Sequence, residues 1–202
     1  MARTHGGGGG GGGGGGHVLQ GADPEAKTGG RGAQVCGEAA LVLLVRRTGR
    51  TRRFAPAFEN VIRELIEGGL HGDSTCQLRL VVYDADAGQT PAAVLTLFAA
   101  ARAVIAPHGA GLTNLIAARR GLRVLEFHPS QPAHAASGIP GLNLCMLHLA
   151  RALGFAYTGA LMWPVEGQRD EDTGDGGGTW WAGDAALLRS WILSLRQSVC
   201  AV

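Results

Sequence analysis

Short apolar segments alternate along the chain with longer segments in which apolar residues recur at helical spacing. Residues 39–45 (AALVLLV) form an apolar run that ends in charge, a pattern typical of a strand buried on both faces. Residues 58–67 (FENVIRELIE) have helical spacing and stop at two glycines. Residues 90–101 begin with threonine and proline, which favours a helix capped by Thr90. The pattern therefore alternates strand with helix.

The rest of the chain continues this alternation. Further strands are predicted at residues 78–83, 103–106 and 123–127, and further helices at 112–118, 142–153 and 184–196. Residues 163–179 are polar, acidic and rich in glycine, which predicts a loop. Strands that alternate with helices over short connections favour a parallel sheet covered on both faces. The predicted fold class is α/β, a Rossmann-like parallel sheet with flanking helices.

The amino-terminal segment differs in composition from this region. Residues 6–16 are eleven consecutive glycines, and the sequence stays poor in apolar residues to about position 34. Such a segment buries too little apolar surface to offset the entropy lost on ordering. We therefore predict a disordered, glycine-rich leader over residues 1–35 and one folded lobe over residues 36–202. No apolar run is long enough for a membrane helix, and no signal-peptide core is present.

Charge and cysteine content exclude some classes of function. A formal net charge of +2 is too small to indicate nucleic-acid binding, so none is predicted. The four cysteines are widely spaced, with no closely spaced pair, which does not favour a zinc site. Buried or free thiols, or one or two disulfides, remain open alternatives. We predict no metal ligands.

The most informative segment is VIAPHGAGLTN, residues 104–114, at the exit of a predicted strand. Ligands of parallel sheets bind outside the carboxyl ends of the strands. Gly109 and Gly111 allow a sharp turn and close approach of the backbone to a ligand, and the following helix directs N–H groups to the same place. Thr113 and Asn114 add donors or cap the helix. The segment predicts an anion site, and the alternative is a tight turn without a ligand.

Other polar residues are predicted at the same edge of the sheet. Glu126 ends a strand, where a carboxylate can accept hydrogen bonds from ribose hydroxyls or can simply be solvated. His128 lies beside it in sequence. Arg46 and Arg47 follow the first strand and are predicted to bind a diphosphate. The remaining arginines of this basic segment either join them or form a solvated loop: Arg50, Arg52 and Arg53.

With RVLEFHP shortly after it and a basic loop before it, VIAPHGAGLTN resembles the carboxyl-terminal half of family 61 glycosyltransferases over residues 41–157. The resemblance implies the donor-binding lobe of a two-lobed, GT-B enzyme, inverting and independent of metal. The donor would be a UDP-sugar carrying xylose, arabinose or N-acetylglucosamine, the acceptor a glycan or glycoprotein, with no further cofactor. The implied donor-binding residues are Arg46, Arg47, His108, Gly109, Ala110, Gly111, Thr113, Asn114 and Glu126.

The family also implies a location in the endoplasmic reticulum or Golgi and association with a membrane. His108 is the candidate catalytic base, although a histidine at the head of such a loop can instead donate to the ligand. Two alternatives are a nucleotide-sugar-binding module without activity and an NAD-binding oxidoreductase. The second is disfavoured because Asn114 stands where a third glycine is expected.

Overall fold

The structure is a computed structural model and describes residues 39–47, 52–68, 77–130, 144–166 and 180–200. The predicted disordered leader, residues 1–35, lies outside the described residues, as do Cys36 and Cys76 and most of the loop predicted at residues 163–179. The disorder and cysteine predictions therefore stay predictions.

One mostly parallel sheet organises the described part of the chain. Its strands are β1 (Ala40–Arg46), β2 (Arg53–Phe54), β3 (Leu78–Asp84), β4 (Ala103–Pro107), β5 (Arg123–Pro129), β6 (Ala156–Pro164) and β7 (Trp180–Gly183). They lie in the order β2-β7-β6-β5-β4-β1-β3. The five strands from β3 to β6 in this order are parallel, whereas β7 runs antiparallel to β6 and parallel to β2.

Helices cover both faces of the sheet. They are α1 (Pro56–Glu67), α2 (Pro91–Ala100), α3 (Cys145–Ala152), α4 (Ala185–Cys200) and a 3-10 helix (Ala110–Ala117). One apolar core joins α1 and α4 to the sheet, and a second core on the other face joins α2, the 3-10 helix and α3. Fully buried runs in β1 and β4 separate the two cores, as expected for parallel strands with helices on both faces.

The structure confirms the predicted α/β class with flanking helices, and its sheet is mostly parallel. Thr90 caps α2 as expected, since its Oγ1 accepts a hydrogen bond from the Ala93 amide at 3.3 Å. Three strands were not predicted: β2, β6 and β7. β2 has only two residues, and β6 is mostly exposed or half-buried and contains glycine, so its apolar pattern is interrupted. Backbone pairing with β5 defines β6, and sequence periodicity does not report such pairing.

The chain changes direction within the sheet beside β1. It passes from β1 to β3 on one side, and then returns to place β4 on the other side of β1. The connections that leave the carboxyl ends of β1 and β4 therefore diverge to opposite faces of the sheet. This topological switch point is where open parallel sheets bind their ligands.

Candidate functional site

Residues from three strands meet at the carboxyl edge of the sheet. Pro107 of β4 pairs with Phe127 of β5, and the His108 amide donates to the Phe127 carbonyl at 2.8 Å. Because side chains alternate along a strand, Glu126 and His128 face the side covered by α2 and α3, while Phe127 enters the opposite core. The backbone pairing therefore brings His108 beside both Glu126 and His128.

Glu126 is the buried centre of this cluster, with no exposed surface. One carboxylate oxygen lies 2.5 Å from Nδ1 of His108, and the other accepts a hydrogen bond from the Tyr157 hydroxyl at 2.5 Å. Glu126 is thus neither a solvated edge carboxylate nor an open acceptor for a ribose hydroxyl. Its two oxygens hold a histidine and a tyrosine in place.

His128 completes the hydrogen-bond network. Its Nε2 lies 3.0 Å from the Tyr157 oxygen and 3.5 Å from Glu126 Oε2, and its ring stacks on that of His108 with centroids 5.0 Å apart. Because Tyr157 donates its single proton to Glu126, its oxygen accepts from Nε2–H of His128. His108 correspondingly donates from Nδ1. In a neutral His128 ring, this pattern leaves the lone pair on Nδ1.

The surroundings favour the uncharged forms of His128 and Tyr157. Burial lowers the pKa of the His128 imidazole, against the opposing effect of Glu126, and the charges of His108 and Arg52 lower it further. Burial and the hydrogen bond to Glu126 both raise the pKa of the Tyr157 hydroxyl. At neutral pH, Tyr157 therefore remains a donor and His128 a neutral imidazole.

The two arginines predicted to bind an anion point to different places. Arg46 is held by Glu59 of α1, with Nε at 3.1 and 3.0 Å from the two carboxylate oxygens and Nη2 also bonded to Oε2. The hydrogen bond to Glu59 raises the Arg46 pKa. Arg47 instead lies across Gly109: a Cβ added there would be 2.8 Å from Arg47 Nη1. Only Arg47 of this pair is directed at the loop after β4.

The other arginines of the basic segment also lie in different places. Arg52 approaches the cluster, with Nη1 at 3.5 Å from the His108 carbonyl oxygen. Arg53 is buried, and its guanidinium lies over the Trp180 ring at 4.0 Å from the centroid. Arg50 lies outside the described residues. Among the described residues of the basic segment, Arg47 and Arg52 are thus the cations that lie at the loop at His108.

The two glycines of the loop have different neighbours. Glycine at position 109 leaves room for the Arg47 guanidinium, while a Cβ at Gly111 would lie 3.3 Å from Val45 Cγ1. Gly111 therefore lets the 3-10 helix pack closely on β1. The first residue of that helix, Ala110, is exposed.

Thr113 and Asn114 bond back to their own helix. Thr113 Oγ1 donates to the Ala110 carbonyl at 2.7 Å, and Asn114 Nδ2 donates to the Gly111 carbonyl at 3.1 Å. Neither side chain satisfies an N–H at the start of the helix, so neither caps it.

Two members of the network received no role from the sequence: His128 and Tyr157. The signal for His128 was its position two residues after Glu126, which places both on one face of a strand. Tyr157 is distant in sequence, and only the pairing of β5 with β6 brings it to the cluster.

Comparison with known proteins returned only remote structural similarity. No protein-family model matches the chain, and no curated protein matches it in sequence. A mutant flavo di-iron protein from Thermotoga maritima is 16% identical with a TM-score of 0.42, covering 81% of this chain and 36% of that one. A diflavin flavoprotein A3 from Nostoc sp. is 11% identical with a TM-score of 0.45, covering 81% of this chain and 99% of that one. The chain thus spans about a third of the Thermotoga protein.

These findings contradict the resemblance to family 61 glycosyltransferases. The similar structures are flavoproteins by name, and no glycosyltransferase model matches. The prediction of an inverting sugar transferase with a GT-B lobe, a UDP-sugar donor and no cofactor is therefore wrong. The prediction came from the HGAGLTN string, in which Thr113 and Asn114 bond to carbonyls of their own helix and His108 bonds to Glu126. The NAD-binding alternative is not matched by these structures either.

The predicted cellular location depended on the same resemblance. A place in the endoplasmic reticulum or Golgi was inferred from the family alone and is not supported. Among the described residues, no helix combines the length and apolar character needed to cross a membrane.

Proposed function

We propose that the chain binds a phosphate-bearing small molecule in the crevice between the carboxyl ends of β1 and β4. One observation carries this proposal: the Arg47 guanidinium lies across Gly109 at the place where the strand order reverses. Ligands of open parallel sheets bind at such switch points. A guanidinium there supplies donors whose planar geometry suits a phosphate.

The electrostatics of the edge also favour an anion. Glu59 neutralises Arg46, whereas Arg47 and Arg52 bring two positive charges to the loop that follows β4. The glycine at position 109 lets the backbone and the guanidinium approach each other closely. A charge-assisted hydrogen bond contributes about 1.5 to 3 kcal/mol, so one well-placed arginine changes affinity by about tenfold or more.

His108 supplies the oriented polar group of this proposed site. Glu126 fixes the ring through Nδ1, so that Nε2 is the ring atom available for a hydrogen bond to a ligand. In this proposal Arg47, His108 and Gly109 face the ligand. Glu126 acts indirectly by orienting His108, and Arg46 binds Glu59 and so attaches α1 to the end of β1.

A flavin nucleotide is one phosphate-bearing ligand whose fit can be compared with the residues of this site. The order of the five parallel strands is that of flavodoxin, in which FMN binds at the switch point. Within the described residues, the exit of β3 carries the acidic Asp84 and Asp86, and no exposed aromatic ring lies at the exits of β1, β3 and β4, since Tyr83 is buried against Phe98. The cationic groups near the loop after β4 are Arg47 and Arg52. These residues fit the phosphate of such a cofactor and provide no stacking surface for its ring.

Calorimetric titration of the full chain with inorganic pyrophosphate and with FMN tests this function. We expect saturable binding of at least one probe and an affinity at least tenfold lower in Arg47→Gln. Arg46→Gln is the matched control, because its side chain is held by Glu59, and it should retain most of the affinity. Circular dichroism melting confirms that both variants fold. Lack of binding to both probes, or equal losses in the two variants, overturns the proposal.

A further inference from the structure

The cluster beneath the proposed ligand site brings together the donor atoms of a metal centre. His108, Glu126 and His128 are all buried, and one ligand atom from each lies within 4.8 Å of the others. Two imidazole nitrogens and one carboxylate oxygen are a donor set that suits Zn²⁺ and related divalent ions. We propose that these three residues bind one first-row transition-metal ion, with Zn²⁺ as the best fit.

The distances are compatible with such an ion after a small adjustment. Tetrahedral Zn²⁺, with bonds of about 2.0 to 2.2 Å, holds its ligand atoms about 3.3 Å apart. His128 Nε2 lies 3.5 Å from a Glu126 oxygen, and His108 Nδ1 lies 2.5 Å from the other. The shorter distance is that of a hydrogen bond. Metal binding therefore requires a lone pair on both ligand nitrogens: the protons on His108 Nδ1 and His128 Nε2 move to the other nitrogen of each ring, and His108 and Glu126 separate by about 1 Å.

Backbone hydrogen bonds of the sheet fix the positions of the three ligands. Glu126 and His128 belong to β5, which is paired with β4 on one side and with β6 on the other. The His108 amide is bonded to the Phe127 carbonyl of β5. Tyr157 donates to Glu126 and so orients one of the three ligands from outside the donor set. Metal sites commonly depend on such supporting hydrogen bonds.

The local charge determines how the site must be tested. Glu126 contributes one buried negative charge, which attracts a metal ion, and the positive charge of the nearby Arg52 repels it. A phosphate at the neighbouring edge would offset that opposition, so metal binding is measured first without phosphate. A positive result then stands independently of the proposed function.

Titration of the full chain with Co²⁺, purified without a histidine tag, provides the direct test. A site built of nitrogen and oxygen ligands gives visible d–d bands without the near-ultraviolet thiolate bands that cysteine ligation produces. We expect these bands to saturate at one Co²⁺ per chain and to be removed by Zn²⁺. His128→Gln and Glu126→Gln should each weaken binding at least tenfold, while His148→Gln, altered at an exposed position on α3, should bind as the unmodified chain does.

Tyr157→Phe separates a supporting role from metal ligation. It keeps all three ligands and should bind Co²⁺ about 10- to 100-fold more weakly, as expected for a supporting residue. Zn²⁺ should raise the melting temperature of the unmodified chain but not that of His128→Gln. Absence of saturable Co²⁺ and Zn²⁺ binding, or equal binding by the His128 and His148 variants, overturns the proposal.

Discussion

Replacement of Tyr157 by phenylalanine tests the buried network most directly. The change removes one oxygen, which donates to Glu126 at 2.5 Å and accepts from His128 at 3.0 Å. A hydrogen bond to a charged group contributes about 1.5 to 3 kcal/mol and a neutral one about 0.5 to 1.5 kcal/mol. Because Tyr157 is only half-buried and water can replace part of the loss, we expect a destabilisation of about 2 to 3 kcal/mol.

Urea unfolding followed by tryptophan fluorescence measures this loss. With a slope of about 1 to 3 kcal/mol per molar urea, the midpoint should fall by about 0.7 to 3 M. Tyr83→Phe is the matched control, since the chain has only these two tyrosines. The hydroxyl of Tyr83 bonds to Asn114, a neutral amide, and its ring stays packed against Phe98.

The control substitution should cost about 1 kcal/mol or less. A loss in Tyr157→Phe below about 1 kcal/mol, or one no larger than in Tyr83→Phe, would refute the idea that the buried carboxylate depends on this hydroxyl. A change confined to the slope of the unfolding transition would also count against it, because the effect would then lie in the denatured state.

Two further experiments test the packing of Phe127 and the ion pair of Arg46. Gly183→Ala would place a methyl 2.2 Å from a ring carbon of Phe127, and this overpacking should cost about 1 to 3 kcal/mol and lower the melting temperature by several degrees. An unchanged melting temperature would show that the aromatic rings rearrange around the added methyl without loss of stability. A double-mutant cycle with Arg46→Ala and Glu59→Ala should give a coupling of about 0.5 to 1 kcal/mol in urea unfolding. Coupling near zero would contradict the ion pair that separates Arg46 from the ligand site.

The predicted elements succeeded where burial is strong and failed where it is partial. β1 and β4 are fully buried strands with uninterrupted apolar runs, and both were predicted from sequence within one or two residues. The half-exposed β6 gives no such run, and β7 has only four residues. Hydrogen bonding to neighbouring strands defines these edge elements, and a single sequence does not record that pairing.

The same distinction applies to the candidate site. The sequence predicted that the loop at His108 and Gly109 and the arginines after the first strand lie at the carboxyl edge, from the alternation of strands and helices and the placement of glycines. The sequence did not distinguish Arg46 from Arg47, because adjacent residues share every local signal. Glu59 on α1 decides between them by binding Arg46.

The sequence by itself determined the alternation of strands and helices, the parallel sheet and the edge at which polar side chains collect, because periodic burial and glycine placement are local properties. Only the tertiary structure decided that Glu126 is buried and bound by His108 and Tyr157. Those contacts join residues 18 and 31 positions apart, and they depend on the register of three neighbouring strands. Register is a collective property of the folded sheet, so no local pattern could specify it.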